Sequence, residues 1–134
     1  MNVDFPQPPP VVFGYLTDPR NRPEWQAGLR RVEEVDGTGE VGTTWVDVTA
    51  VGARPRLRVT EQVRDAHWVE TGSWRGIDAT VTLGFTPHDG GTRVYAALAI
   101  TPRHRASRPL VAVLGRLAPA AVRRDLERAV RRIG

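Results

Sequence analysis

Residues 107–133 read SRPLVAVLGRLAPAAVRRDLERAVRRI, and the rest of the chain is organised around this stretch. Val111, Leu114, Ala118, Val122, Leu126, Ala129 and Ile133 recur at steps of three and four, which places them in one stripe along one side of a helix. Ser107 is suited to cap the start, Pro109 fits a first turn where no amide donor is missed, and Gly134 closes the end. Pro119 removes the hydrogen bond to the Gly115 carbonyl and crowds that oxygen, so a bend or a break is expected there. An amphipathic helix of this length needs an apolar surface to lie on. The sequence before it supplies one in the form of strands.

Working back from the helix, extended segments are predicted at about 29–35, 43–51, 56–64, 67–75, 77–86 and 92–101. The breaks between them are Asp36-Gly37 with Gly39, Gly52 to Pro55, Asp65-Ala66, Gly76, and His88 to Gly91. Loops this short make successive strands antiparallel neighbours. Val3 and Phe5 alternate with polar residues and form a short first strand, stopped by Pro6 and Pro8 to Pro10. Val11 to Leu16 is too dense in apolar residues for a loop and reads as a short helix. Asp18 followed by Pro19 marks the cap and first turn of a second one, ending near Trp25.

The chain has 134 residues, enough for one domain spanning 1–134 with a core that needs no metal or disulfide staples. It contains no cysteine, which excludes disulfides, thiolate metal sites, iron–sulfur clusters and cysteine nucleophiles. All 19 basic residues are arginine, so Schiff-base chemistry and a phosphate-loop lysine are excluded as well. The N-terminus is acidic and proline-rich where a signal peptide would be basic and then apolar. No run approaches the length of a membrane span, so a cytoplasmic setting is expected. Charge is uneven: from Arg103 onward nine arginines face only Asp125 and Glu127, while the preceding residues carry a slight negative balance.

Three segments carry a family resemblance. Val12-Phe13 through Leu16-Thr17-Asp18-Pro19 to Trp25, then Phe85-Thr86-Pro87 to Gly91-Thr92-Arg93-Val94, and then Asp125-Leu126-Glu127 resemble the START/polyketide cyclase (SRPBCC) superfamily over nearly the whole chain. The resemblance implies an α+β helix-grip fold: a seven-stranded antiparallel sheet curled around a C-terminal helix, enclosing a pocket for an apolar or aromatic ligand. Members include polyketide cyclases and dehydrases and lipid and hormone binders. The very short first strand and Pro119 are departures from the pattern.

Strand parity decides which side chains face that cavity. Ala79, Val81, Leu83 and Phe85 share one face, as do Val94, Ala96, Leu98 and Ile100, with threonines, Arg93 and Tyr95 on the other. Leu57, Val59 and Val63 point inward and carry Glu61 with them. Around Trp45 the residues allow two parities, and hydrophobicity alone favours Val46 and Val48. In the resembling family the third and fifth residues after this strand's glycine are large and inward, which matches Trp45 and Asp47 after Gly42 and favours the tryptophan face. By the same reasoning Trp68, Glu70 and Trp74 share a face. The expected ligand contacts are Trp25 at the rim, with Trp45, Leu57, Val59, Trp68, Val81, Leu83, Phe85, Val94, Leu98 and Leu114.

The catalytic templates mostly fail. His67, His88 and His104 fall on or beside turns without ligand spacing to a carboxylate, so no metal site is expected. Ser73 and Ser107 lack a nucleophile-elbow context, and no phosphate loop or dinucleotide fingerprint is present, so no cofactor is expected. What remains is acid and base work by Glu61 and Asp47, with Glu70 and Tyr95 as further carriers. Binding of a small hydrophobic, polyketide-like molecule is placed ahead of catalysis by a pocket carboxylate. A third reading is an adaptor that meets an anionic partner through its arginine-rich helix. That helix lacks interleaved aromatics, which argues against sequence-specific nucleic-acid reading.

Overall fold

A computed structural model describes residues 1–134. In chain order the elements are β1 (Asn2–Phe5), α1 (Pro9–Thr17), a 3₁₀ turn (Pro19–Asn21), α2 (Arg22–Trp25), β2 (Leu29–Asp36), β3 (Thr44–Thr49), β4 (Arg56–Val63), β5 (His67–Trp74), β6 (Ile77–His88), β7 (Gly91–Pro102), a second 3₁₀ turn (Arg105–Ser107) and α3 (Arg108–Arg132). The seven strands form one curved, open antiparallel sheet in the order β1-β7-β6-β5-β4-β3-β2, so the chain winds from β2 to β7 by neighbours and β1 closes the far edge.

Local chemistry accounts for these boundaries. Asp18 accepts a hydrogen bond from the Arg20 amide at 3.0 Å and Pro19 follows in the first turn, as the sequence led us to expect. Arg75 and Gly76, then Asp89 and Gly90, both have positive φ, which is the geometry of two-residue type I′ hairpins that match strand twist. Gly91 serves a separate purpose: a Cβ there would overlap the Phe5 carbonyl oxygen, so only glycine lets β1 pair with β7 at that point.

The core lies between the concave face of the sheet and the helices. Phe13 of α1 meets Trp68 and Phe85 edge-on, with ring centroids 6.2 and 5.1 Å apart. Val3, Phe5, Val12, Leu16, Trp25, Trp45, Leu57, Val59, Leu83, Val94, Ala96, Leu126, Ala129 and Ile133 complete it. The helix α3 contacts β7, β1 and α2, so it crosses the concave face. Its stripe is graded along its length: Leu126, Ala129 and Ile133 are buried, Val122 and Ala118 are half-buried, and Leu114 is 37 % exposed. The first half of the helix therefore stands over open space instead of packed side chains.

Two expectations for α3 are corrected. Its N-terminus is not capped by the Ser107 side chain: Ser107 has helical φ and ψ, makes no capping bond and belongs to the preceding 3₁₀ turn. Of the bend or break expected at Pro119, the break does not occur: the helix is continuous through that residue. The fold supplies a reason. Pro119, well before the buried anchors, lies on an exposed stretch where a carbonyl left without its amide partner is solvated at little cost.

Candidate functional site

The sequence repeats one triplet, Trp-Val-acid, as Trp45-Val46-Asp47 on β3 and Trp68-Val69-Glu70 on β5. Period two puts each tryptophan and its acid on one face, and here that face is the concave one. Each indole donates to the carboxylate two residues ahead: Trp45 Nε1 to Asp47 Oδ1 at 3.0 Å, and Trp68 Nε1 to Glu70 Oε1 at 3.1 Å. The two indoles stack at 6.5 Å across the intervening β4.

Arg22, from the four-residue helix α2, reaches between the two strands. Its Nη1 donates to Glu70 Oε1 at 2.9 Å and its Nη2 to Asp47 Oδ2 at 3.2 Å, and its guanidinium carbon lies 5.2 Å from the centre of the Trp45 ring. All three charged residues are buried, Arg22 at 5 % exposure, Asp47 at 7 % and Glu70 at 3 %. Burial by itself disfavours the guanidinium's charge, but the carboxylates of Glu70 and Asp47 outweigh it and hold Arg22 above its ordinary range. Two carboxylates share one guanidinium, so the cluster formally carries one negative charge in excess. Asp47 has both oxygens engaged, whereas Glu70 Oε2 and Arg22 Nε are buried without a partner.

The cluster forms one end of a cavity of about 280 Å³ between the sheet and α3. Its walls are Leu57 of β4, Gly72 and Trp74 of β5, Ile77, Ala79 and Val81 of β6, and Leu114 from the helix above. The graded burial of α3 creates this space, because Leu114 roofs it without filling it. Two larger hollows lie elsewhere. One, of about 490 Å³, is a polar surface groove beside α1 lined by Asp18, Arg20, Glu40 and Arg64. The other, of about 500 Å³, is an apolar cleft on the opposite side of α3, between β7 and Gly115 to Val122. Of these three hollows, the 280 Å³ cavity is the one that combines apolar walls with buried charge, the usual composition of a small-molecule site.

Of the residues expected at the site, Asp47, Leu57, Val81 and Leu114 stand on the cavity wall. Trp45, Val59, Trp68, Leu83, Phe85 and Val94 pack in the core behind or beside it. Trp25 is not at a rim: it is 6 % exposed within the core, and its indole nitrogen has no partner. Leu98 faces the apolar cleft on the other side of α3.

Glu61 is a correction. The β4–β5 register shifts between Val59 and Glu61, so Thr60 is an extra residue, a β-bulge. Val59 pairs inward with Glu70, but Glu61 then pairs with Val69 on the outer face and Gln62 with Trp68 on the inner one. Glu61 is exposed, and Val63 is 59 % exposed instead of inward.

A family profile described as polyketide cyclase/dehydrase and lipid transport matches residues 1–134. The chain belongs to this family. Among solved structures, the polyketide cyclase/dehydrase-type chain is similar to TTHA0849 from Thermus thermophilus, with 19 % identity, a TM-score of 0.79 and coverage of 99 % of this chain and 94 % of that one. A conserved protein from Geobacillus kaustophilus is 13 % identical with a TM-score of 0.72, over 98 % and 91 % of the two chains. DynU16, from the dynemicin biosynthetic locus, is 18 % identical with a TM-score of 0.69 over 98 % of this chain, which spans under half (45 %) of that protein. At these identities the likeness is one of fold. No curated protein matches the sequence. The helix-grip architecture expected from the sequence is the one observed, and no helix is long and apolar enough to cross a membrane.

Proposed function

We propose that this polyketide cyclase/dehydrase-type protein binds a small, largely apolar molecule of aromatic or polyketide type in the 280 Å³ cavity, with the Asp47–Arg22–Glu70 cluster receiving its polar end. One observation carries the reading: Glu70, 3 % exposed and with one carboxylate oxygen left without a partner, lines a cavity whose walls away from the charged cluster are mainly apolar. A buried acceptor without a donor costs on the order of 1–3 kcal/mol, more for a charged group, and a bound molecule that supplies the donor recovers it. The test is titration with flat hydrophobic molecules, followed by tryptophan emission and melting temperature, together with mass spectrometry of whatever is extracted from the purified protein. A bound or co-purified apolar molecule supports the reading. A broad panel without any shift removes it.

The same oxygen favours a second reading, dehydration of the bound molecule. Glu70 Oε2 takes a proton from a carbon between two carbonyl groups, and the enolate that forms is stabilised by the neighbouring guanidinium. The proton then goes to a departing β-hydroxyl, so that water leaves, a carbon–carbon double bond forms and the carboxylate is regenerated. Asp47 is the less suited base, since both its oxygens are already engaged. Conversion of the extracted ligand by wild type but not by Glu70→Gln distinguishes catalysis from binding.

A further inference from the structure

The cluster at the end of the cavity specifies the chemistry of the group that meets it. Three charged side chains converge there, each more than nine-tenths buried, and two of their atoms have no partner: Glu70 Oε2, which in a carboxylate only accepts, and Arg22 Nε, which only donates. The two atoms differ in what they admit. Glu70 rejects any group that presents only lone pairs, and it rejects an anion doubly, because the cluster already carries formal negative charge in excess. Arg22 Nε lies on a guanidinium whose charge Glu70 and Asp47 already engage, so it offers a hydrogen bond without a free cation. A fatty-acid or other carboxylate headgroup is therefore the wrong ligand for this cavity, although an arginine lies at its end.

From this we infer that the cavity selects a neutral molecule whose buried end carries an O–H donor, a phenol or enol, with a carbonyl as the acceptor nearby, and that Glu70 is the residue that reads the hydroxyl. The inference rests on the ligand-binding reading above and adds the headgroup class to it. The walls complement that end. Leu57, Val81, Ile77 and Leu114 supply apolar contact without any further charge, so orientation is set at the cluster alone. Gly72 contributes to fit: a Cβ there would stand 3.1 Å from Leu57 Cγ, so a side chain at this position would press on the cavity wall.

The experiment compares three probes on one ring system, 2-naphthol, 2-methoxynaphthalene and 2-naphthoate, with the corresponding anthracene set as a second size. Affinity is followed by tryptophan quenching of the full chain. We expect the hydroxyl probe to bind about tenfold or more tightly than its methyl ether, the ratio that one hydrogen bond to a charged acceptor supports, and the carboxylate to bind most weakly. This comparison needs no variant. In Glu70→Gln, whose amide both donates and accepts and so can meet an ether oxygen as well as a hydroxyl, the preference for hydroxyl over ether should collapse to within about threefold. Circular dichroism and melting confirm that the variant is folded. Equal binding of hydroxyl and ether by wild type, as when the Glu70 oxygen merely holds a water, overturns the headgroup assignment but leaves the cavity as a binding site. Tighter binding of the carboxylate overturns it in favour of an Arg22 anchor. If no probe of either size binds, the cavity reading itself fails.

Discussion

Arg22 Nη1 stands 2.9 Å from Glu70 Oε1, joining residues 48 positions apart in the sequence and tying the four-residue α2 to the middle of the sheet. Such a contact is worth more intact than in parts. Replacing Arg22 by methionine leaves Asp47 and Glu70 buried without a counter-charge, and the expected loss is about 3–5 kcal/mol of unfolding free energy. Adding Glu70→Gln to Arg22→Met should recover part of that loss, because the second substitution removes one of the stranded charges. Urea unfolding of the single and double variants measures both effects. A loss below about 1 kcal/mol would mean that water reaches the cluster.

Glu61→Gln should change neither ligand affinity nor stability by more than about 0.5 kcal/mol, since the bulge at Thr60 puts Glu61 on the exposed outer face. Run beside Glu70→Gln in the same titration, it is the control that separates the cavity carboxylate from the surface one. A large effect of Glu61→Gln on binding would contradict the register of β4.

Asp125 on α3 accepts a hydrogen bond from the Ala27 amide at 3.2 Å, and its carboxyl is held above the ordinary aspartate range: burial raises it, outweighing the Ala27 amide, Arg128 and Arg22, which lower it. A raised folded-state value means that the folded protein binds this proton more tightly than the unfolded chain. The associated stability is present at low pH and is lost as pH rises through the folded value. Asp125→Asn keeps the acceptor and removes the charge. It should therefore melt higher than wild type by a few degrees near pH 7, with the difference narrowing as pH falls towards the carboxylate range. Thermal melts across that range test the sign, and a variant that melts lower at neutral pH would show that the charge is favourable in place.

Seven arginines on α3 and one just before it, at Arg105, make no salt bridge, in contrast to Arg31, Arg54, Arg93 and Arg103, which pair with carboxylates on the sheet. The expected behaviour is retention on heparin at low ionic strength that disappears near physiological salt, with a triple change of Arg116, Arg123 and Arg124 to glutamine abolishing retention without altering the melting temperature. Retention that survives physiological salt would favour the adaptor reading. Absence of retention at low salt would remove it.

Strands, hairpins and α3 were legible because their signals are local and repeat. Asp89-Gly90 and Arg75-Gly76 are turn chemistry, and the three- and four-residue steps from Val111 to Ile133 are a period. The tryptophan face of β3 was legible only with the help of family resemblance, because Val46 and Val48 are also buried, at 5 % and 7 % exposure. Glu61 was misplaced because a bulge is a one-residue insertion with no residue-type signature here, and one residue inverts everything beyond it. Arg22 was missed altogether: a helix of four residues has no period to read, and its partners come from two distant strands. The repeated Trp-Val-acid triplet was the available sign, since two buried carboxylates on facing positions require a cation between them.

The graded burial of α3 gives the helix two different lifetimes. Beyond Pro119 it is fastened by Leu126, Ala129 and Ile133, by Asp125 to Ala27 and by Arg132 to the Glu24 carbonyl, so its amides should exchange with solvent only when the whole fold opens. Before Pro119, about three turns stand over the cavity and the opposite cleft with Leu110, Val113 and Leu117 turned to solvent, and the proline leaves the junction short of one hydrogen bond. Those turns can fray without unfolding the sheet. Leu114 is the roof of the cavity, so each such fraying event uncovers it. The dissociation rate of any occupant should then track the deuterium uptake of amides 110–118, and Pro119→Ala, which restores the missing bond, should slow both together.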